Sequence, residues 1–355
     1  MKRALGIFVP ARKTQRTLEL LRKMDLKLDG FQLDESSGVV GIPLTHFPST
    51  QEETILRNEL ETFQIHEASF QPTGPRPKNL QEALFDKLPA HLAPQLPRSF
   101  DVIGDIAIIE LPSGIEAYSV AVGNAVLQAN PHIRLVLKKS GDVNGTFRTR
   151  PLQPLIGSGG TETVHKEFGC HYHLDVSSVY FNPRLAHERF RVATQVMRDE
   201  VVVDMFAGVG PYSVLIARLQ PDSKLYSVDI NPSAIRYLRE NALANDVADR
   251  LVPLLGDARD LSRCKLLNLA DRVIMNLPSE ALSYLDASAQ ILRDRGGVIH
   301  FYEFVERGAN LNLIKEQFQT TIEARHRRVK SYNYVNVIRE VAPNRVQVAI
   351  DAVIQ

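Results

Sequence analysis

An apolar run at Val201-Val202-Val203 leads into Asp204-Met205-Phe206-Ala207-Gly208-Val209-Gly210-Pro211, the pattern of a strand, a glycine turn and a helix start. Gly208 and Gly210 allow close approach of backbone to a ligand, and Pro211 suits a first helical turn. Alone, a G-x-G reads equally well as a plain tight turn. A nicotinamide site would prefer a third glycine at position 213, where Ser213 stands. Asp229 closes the next apolar run, about 20 residues on, where a carboxylate can accept hydrogen bonds from both ribose hydroxyls. Gly256-Asp257-Ala258 closes a third run, where an acid can meet an adenine amino group, and Asn276-Leu277-Pro278 closes a fourth. Together these groups, at the carboxyl ends of strands, favour S-adenosylmethionine over a dinucleotide.

Other polar residues admit two readings each. Asn182 can cap a helix with Pro183 at its first position, which sets Arg184 and Glu188 on one helix face. They are then a surface ion pair or part of a site. Arg148 and Arg150 alternate along an expected strand, Phe147–Leu155, and face one side, either as a solvated face or toward a ligand. Tyr180 is core or site. His165, His171 and His173 lack a cysteine or acid at ligand spacing, which argues against a metal. The run Arg325-His326-Arg327-Arg328-Val329-Lys330 is a solvated helix end or a contact for nucleic-acid phosphates, which would weaken with salt.

The elements that must position these residues fall into blocks. Residues 1–70 read as strand, helix, strand, strand, with the later strands near Phe31–Leu33 and Val39–Leu44 across Ser36-Ser37-Gly38. Residues 71–97 are proline-rich, with Gln71-Pro72-Thr73-Gly74-Pro75-Arg76-Pro77 expected to be a stiff linker. Residues 98–180 form an α+β module. Residues 181–355 alternate short apolar strands with helices, the pattern of a doubly wound Rossmann-type domain. The final runs, Tyr334–Val341 and Val346–Ile354, have no helix between them and predict an antiparallel hairpin at the sheet edge. The expected fold is therefore α/β: a Rossmann-type catalytic domain, an α+β middle domain and a small N-terminal α+β domain.

A length of 355 residues, 44% of them hydrophobic, exceeds one ordinary core. Lysine and arginine number 42 against 41 acids, so nucleic-acid contact must come from local patches. No apolar run reaches the length of a membrane helix. Cys170 and Cys264 support no disulfide framework, which fits a reducing cytoplasm. The first acid is Glu19, as in a basic transit peptide, but the strand-like Ala4–Val9 and the helix pattern from Thr14 predict a folded start instead.

The glycine-loop block 204–211 and Met275-Asn276-Leu277-Pro278 resemble the archaeal and eukaryotic tRNA (guanine-37-N1)-methyltransferases. So do His165-Lys166-Glu167-Phe168-Gly169-Cys170 and Val179-Tyr180-Phe181-Asn182-Pro183-Arg184-Leu185-Ala186-His187-Glu188-Arg189. The resemblance runs from about Ser99 onward; residues 1–70 match only in architecture the small tRNA-binding domain of archaeal members. It implies a class I methyltransferase fold and methyl transfer from S-adenosylmethionine to N1 of guanosine 37. Carried over, Glu188 matches the general base, Arg148 the residue facing guanine O6, Tyr180 one that places the base, and Asn276 one touching base and cofactor. Arg189, Asp229, Ile230, Asp257 and Ala258 match cofactor contacts, and Asp204, Phe206 and Gly208 of the glycine loop complete that set.

N1 of neutral guanine carries a proton, so a carboxylate base suits the reaction and an arginine at O6 would stabilise the developing charge. No metal is needed, because the sulfonium brings its own leaving group. The implied partner is tRNA, held at the anticodon loop and at a distant part through the N-terminal domain, with the enzyme a cytoplasmic monomer. The rivals are wyosine-pathway enzymes, by aminocarboxypropyl transfer or methylation of a wyosine precursor, and a tRNA-binding protein without catalysis.

Overall fold

The computed structural model describes residues 1–36, 38–72, 77, 79–84, 87–141, 145–260 and 264–355, and the chain divides into two units, Met1–Ala83 and Leu84–Gln355. In the first unit β1 (Lys2–Pro10), β2 (Asp34–Ser36), β3 (Val39–Pro43) and β4 (Gln64–Phe70) form an antiparallel sheet in the order β2-β3-β1-β4. Alternation sends Ile7 and Val9 of β1 into a core with Leu20 and Leu21 of helix α1 (Thr14–Lys23) and Leu56 and Leu60 of helix α2 (Thr50–Leu60). Phe8, of opposite parity, stacks on His66 at 4.1 Å between ring centroids.

The expected strand near Phe31–Leu33 is instead β2, three residues later. The sequence reading also omitted α2, although Ser49 and Glu52 form its capping box, with Glu52 Oε2 accepting from the Ser49 N–H at 2.7 Å. Within the expected linker, residues 73–76, 78, 85 and 86 lie outside the described residues, as does Ser37 of the anticipated turn. Helix α3 (Leu80–Leu84) follows the linker prolines.

The second unit begins with β5 (Asp101–Ile103), β6 (Ile106–Ile109), β7 (Leu135–Lys139) and β8 (Leu152–Gly157), paired in that order, with helix α4 (Ser119–Ala129) crossing between the parallel β6 and β7. The strand expected at Phe147–Leu155 starts only at Leu152. Before it, Arg148 donates its N–H to the Gly145 carbonyl at 3.1 Å and adopts φ 54°, a turn conformation. Arg148 and Arg150 therefore do not alternate along a strand. Pro151 also lacks the N–H that an earlier strand start would use.

β9 (Glu162–Glu167) and β10 (Cys170–Asp175) make a separate hairpin. Its free edge is bound by two amides of helix α7 (Pro232–Ala244) and its C-cap. Asn241 takes the His173 N–H at 2.7 Å and Asn245 the His171 N–H at 2.8 Å, and each returns a bond to the same residue's carbonyl.

The remaining strands are β11 (Val201–Asp204), β12 (Lys224–Asp229), β13 (Leu251–Leu255), β14 (Arg272–Met275), β15 (Gly297–Glu306), β16 (Val329–Ala342) and β17 (Arg345–Ile354). They form one sheet in the order β13-β12-β11-β14-β15-β17-β16; the first five run parallel, and β17 runs antiparallel to both neighbours. The order reverses at β11, the switch point beside which open α/β sheets bind ligands. The two C-terminal runs do form a hairpin, with β17 inside it and β16 at the edge. Helices α5 (Ala186–Ala193), α6 (Pro211–Leu219) and α7 belong to one face of the sheet; helices Ala281–Ile291 and Leu311–Glu323 belong to the other. In β15 the period of two sends Ile299 and Phe301 to the second face, and His300 and Tyr302 to the first. Among the described residues no helix is long and apolar enough to cross a membrane.

Candidate active site

The turn after β11 is built by its glycines. Gly208 and Gly210 have φ of 55° and 91°, and a Cβ on Gly210 would stand 2.2 Å from Leu238 of α7. The tight turn closes with the Gly210 N–H on the Ala207 carbonyl at 2.9 Å, and Pro211 opens α6. Asp204 is buried beneath, accepting from Ser213 Oγ at 2.8 Å; Ser213 in turn accepts from Ser227 Oγ at 2.8 Å. Burial pushes its carboxyl up to about 7. Asp204 does not line the adjoining cavity, so its place is as a brace for the turn. Ser213, read in the sequence as a missing glycine, supplies that brace.

Above the turn lies a cavity of about 1020 Å³. Phe206, Gly208, Asp229, Ile230, Asp257 and Ala258 line it, and so do Arg148, Tyr180 and Asn276. Asp229 receives the Gly208 N–H on Oδ2 at 2.7 Å and the Asn231 N–H on Oδ1 at 2.8 Å. Burial raises its carboxyl above the ordinary range, against the pull of these bonds. A carboxylate offers about four lone-pair sites, more than the backbone fills here, so Asp229 keeps acceptor capacity for ribose hydroxyls at the cavity. Asn276 Oδ1 is buried beside the cavity with no hydrogen-bond partner among the described residues, an acceptor that calls for a ligand donor. Asp257 is engaged by Arg259 at 2.6 Å, and that guanidinium lies 4.5 Å over the Tyr284 ring. The residues present therefore fit a nucleoside.

Asp229→Ala is expected to weaken S-adenosylmethionine binding by about 1.5–3 kcal/mol, the worth of hydrogen bonds to a charged acceptor. Titration calorimetry on the folded variant measures it, and unchanged affinity would remove Asp229 from the ribose.

Tyr180, also at the cavity, is 44% exposed, not core, and its hydroxyl accepts from Asn182 Nδ2 at 3.3 Å. Asn182 Oδ1 caps the Arg184 N–H at 3.0 Å, and Pro183 opens the short turn that runs into α5. The Arg184–Glu188 pair is not formed. Arg184 Nε reaches Asp101 of β5 at 2.7 Å, because the turn before α5 is not yet α-helical and directs Arg184 away. Arg148 donates to Ser279 Oγ and lies 3.9 Å from Glu280, so the residues after Pro278 hold the arginine's head.

Two further sequence-derived site residues, besides Asp204, lie off the cavity. Arg189 is buried, paired through both nitrogen ends with Glu167 of β9, and holds the Asn182 carbonyl at 3.0 Å. Glu188 is 7% exposed and does not line the cavity. Its Oε2 accepts from Arg191 Nε at 2.8 Å; its Oε1 accepts from Arg191 Nη2 at 2.7 Å and from the Tyr302 hydroxyl at 2.6 Å. Three of its four lone-pair sites are filled, and the vacant one is on Oε2.

Several residues here escaped the sequence reading: Arg191, His300, Tyr302, Gln347 and Asp351. Gln347 is 0% exposed and borders the cavity. Arg339 Nε donates to its Oε1 at 2.7 Å, which leaves Nε2 as a donor with no partner among the described residues. The available signal was a polar residue inside an otherwise apolar strand, as in Val346-Gln347-Val348 and Ile350-Asp351-Ala352. The basic run 325–330 is partly structural: Arg325 pairs with Asp286, and Arg327 donates to the carbonyls of Leu292 and Arg293.

Residues 163–330 match the family described as the TRM5/TYW2 methyltransferase domain, and residues 80–161 match the TYW2 N-terminal domain. A tRNA (guanine(37)-N(1))-methyltransferase, Trm5b of Pyrococcus abyssi, is 40% identical over 296 residues, spanning 81% of this chain and 84% of the relative. Its crystal structure superposes with a TM-score of 0.71 at 33% identity over 99% of both chains. A solved complex of aTrm5 with tRNALeu gives a TM-score of 0.68 at 28% identity, over 99% of this chain and 100% of that one. Taw21 of Saccharolobus solfataricus, a tRNA 4-demethylwyosine(37)-methyltransferase, is 34% identical over 72% of this chain and 93% of its own. Sequence, fold and cavity agree, and the chain belongs to the TRM5/TYW2 family of S-adenosylmethionine-dependent methyltransferases.

Proposed function

We propose that this enzyme methylates N1 of guanosine 37 in tRNA, with Glu188 as general base and Arg148, Tyr180 and Asn276 on the guanine. The observation that carries this reading is a single cavity that joins the acid-bearing strand ends to the Arg148–Tyr180–Asn276 wall. S-adenosylmethionine supplies an electrophilic methyl group on a sulfonium that departs as a neutral thioether. The chain's task is to orient the purine and take its N1 proton. Tyr180 offers an exposed ring for the base to stack on. Asn276 Oδ1 is a ready acceptor. Arg148 places positive charge where O6 gains negative charge as N1 is deprotonated. Glu188 accepts the proton on the vacant site of Oε2. It does not line the cavity, so the transfer uses a rearrangement on substrate binding or one bridging water, as catalytic contacts often tighten only with substrate.

The N-terminal unit grips a part of tRNA away from the anticodon, and the enzyme works as a monomer. Mass spectrometry of nucleosides from a guanosine-37 transcript tests the activity. The expected product is 1-methylguanosine, formed faster on full-length tRNA than on an anticodon stem-loop and absent from an adenosine-37 transcript. An aminocarboxypropyl adduct, or methylation only of tRNA bearing 4-demethylwyosine, would overturn the assignment and favour the wyosine-pathway reading.

A further inference from the structure

The first face of the sheet carries a seam of buried polar groups that do not line the cavity. The β15–β17 register sets His300 opposite Asp351, and α5 lays Glu188 and Arg191 over them, three residues apart. We propose that Arg191, Asp351 and His300 are positioning residues that hold Glu188 in place and set its readiness to accept a proton; this rests on Glu188 being the base.

The protonation pattern follows from donor identity. Arg272 Nη1 lies 2.8 Å from His300 Nε2. A guanidinium only donates, so Nε2 is the acceptor and the imidazole proton sits on Nδ1. Nδ1 then donates to Asp351 Oδ1 at 2.7 Å. Burial pushes His300 below its ordinary value, against the attraction of Asp351, so the ring is neutral. Burial alone would raise the Asp351 carboxyl, but the bonds from His300 and Arg191 outweigh it and hold it well below the carboxylate range. Arg272 is balanced by Glu200 at 2.7 Å. Asp351 thus keeps its charge and gives it to Arg191, which reaches it through Nη1 at 2.5 Å and Nη2 at 3.1 Å. Gln195 adds a donor to Asp351 at 3.2 Å. The Arg191 plane rests 3.9 Å from the Tyr334 ring centroid. Bound at both ends and stacked, the guanidinium has one orientation, and it presents its remaining fork to Glu188.

The charge balance matters as much as the geometry. Two carboxylates, Glu188 and Asp351, share one guanidinium. A carboxylate in sole possession of an arginine resists protonation; one that shares it resists less. The other groups facing Glu188 are the Tyr302 hydroxyl, the Tyr212 hydroxyl that donates to Tyr302 at 3.2 Å, and the neighbouring Arg189, which is neutralised by Glu167. Burial raises both tyrosines, so they remain neutral donors, while Asp204 lies further along α6 on Ser213.

Single-turnover methylation by the full-length enzyme, measured against pH, tests the chain of contacts. Asp351→Asn leaves Arg191 to Glu188 alone, so the acid limb should move to lower pH and the plateau rate should fall. Arg191→Met leaves two facing acids, so the limb should move to higher pH. Each shift should be on the order of one pH unit, the scale set by a close charge. Arg191→Lys keeps the charge but loses the fork, and should slow the reaction with the limb near its wild-type position; it stands in if Arg191→Met fails to fold. A lowered melting temperature with limbs unmoved in Asp351→Asn and the Arg191 variants would overturn the proposal and leave these residues structural. Glu188→Gln separates the two levels. If it reacts at the normal rate, the base assignment fails; if it is slow while the other variants keep the wild-type limb, only the positioning role fails.

Discussion

Glu188→Gln is expected to slow single-turnover methylation by about 10²-fold or more, the usual worth of a general base. The substitution keeps size and leaves an oxygen for the Tyr302 hydroxyl, but its amide cannot take a proton and the Arg191 Nε–H loses its acceptor. Affinities for cofactor and tRNA should change little, because the role is confined to the transition state. A rival account makes Glu188 purely structural, and the contacts give it substance: the residue is nearly buried and bound to Arg191 and Tyr302. On that account Glu188→Gln would lower stability by about 1–3 kcal/mol, from an unpaired buried donor, with the rate of folded enzyme unchanged. Rate and thermal unfolding measured together decide, and a normal rate with a lowered Tm would end the general-base assignment. Arg148→Ala should also slow the step, and in the double variant the losses should combine to less than their product if both residues act on one developing charge.

Local rules carried much of the fold. The glycine turn, the acids at the ends of β12 and β13 and the Asn182-Pro183 helix entry depend on neighbouring residues, so their positions follow from the chain itself. The C-terminal hairpin was visible in the same way, from two β-branched runs without a helix between them. Arg148 was misread because periodicity cannot see a residue at positive φ; Gly145 and Pro151 were the local hints of a turn. The pairing Arg184–Asp101 and the seam under α5 join residues far apart in sequence, and tertiary packing brings them together, with the β15–β17 register setting His300 opposite Asp351. Asp351 illustrates the limit: in sequence it is a lone acid in an apolar strand, and the register with His300 gives it its meaning.

Arg189 is where motif and geometry diverge most, and its replacement should act mainly on stability. The family resemblance places it against the cofactor, yet both ends of its guanidinium are committed to Glu167 and to the Asn182 carbonyl, and it does not line the cavity. Removing one member of a buried ion pair strands the other charge, so Arg189→Ala should destabilise the protein by about 3–5 kcal/mol. Cofactor affinity of the folded fraction should fall little, and any loss should come through the Tyr180–Asn182 segment that Arg189 supports. Replacing both partners, Arg189→Met with Glu167→Leu, should recover much of the stability, because apolar groups of similar volume remove the stranded charge. Denaturant unfolding and calorimetry on the same preparations separate the two roles. A large loss of S-adenosylmethionine affinity in Arg189→Ala at unchanged stability, persisting in the double variant, would return Arg189 to the cofactor.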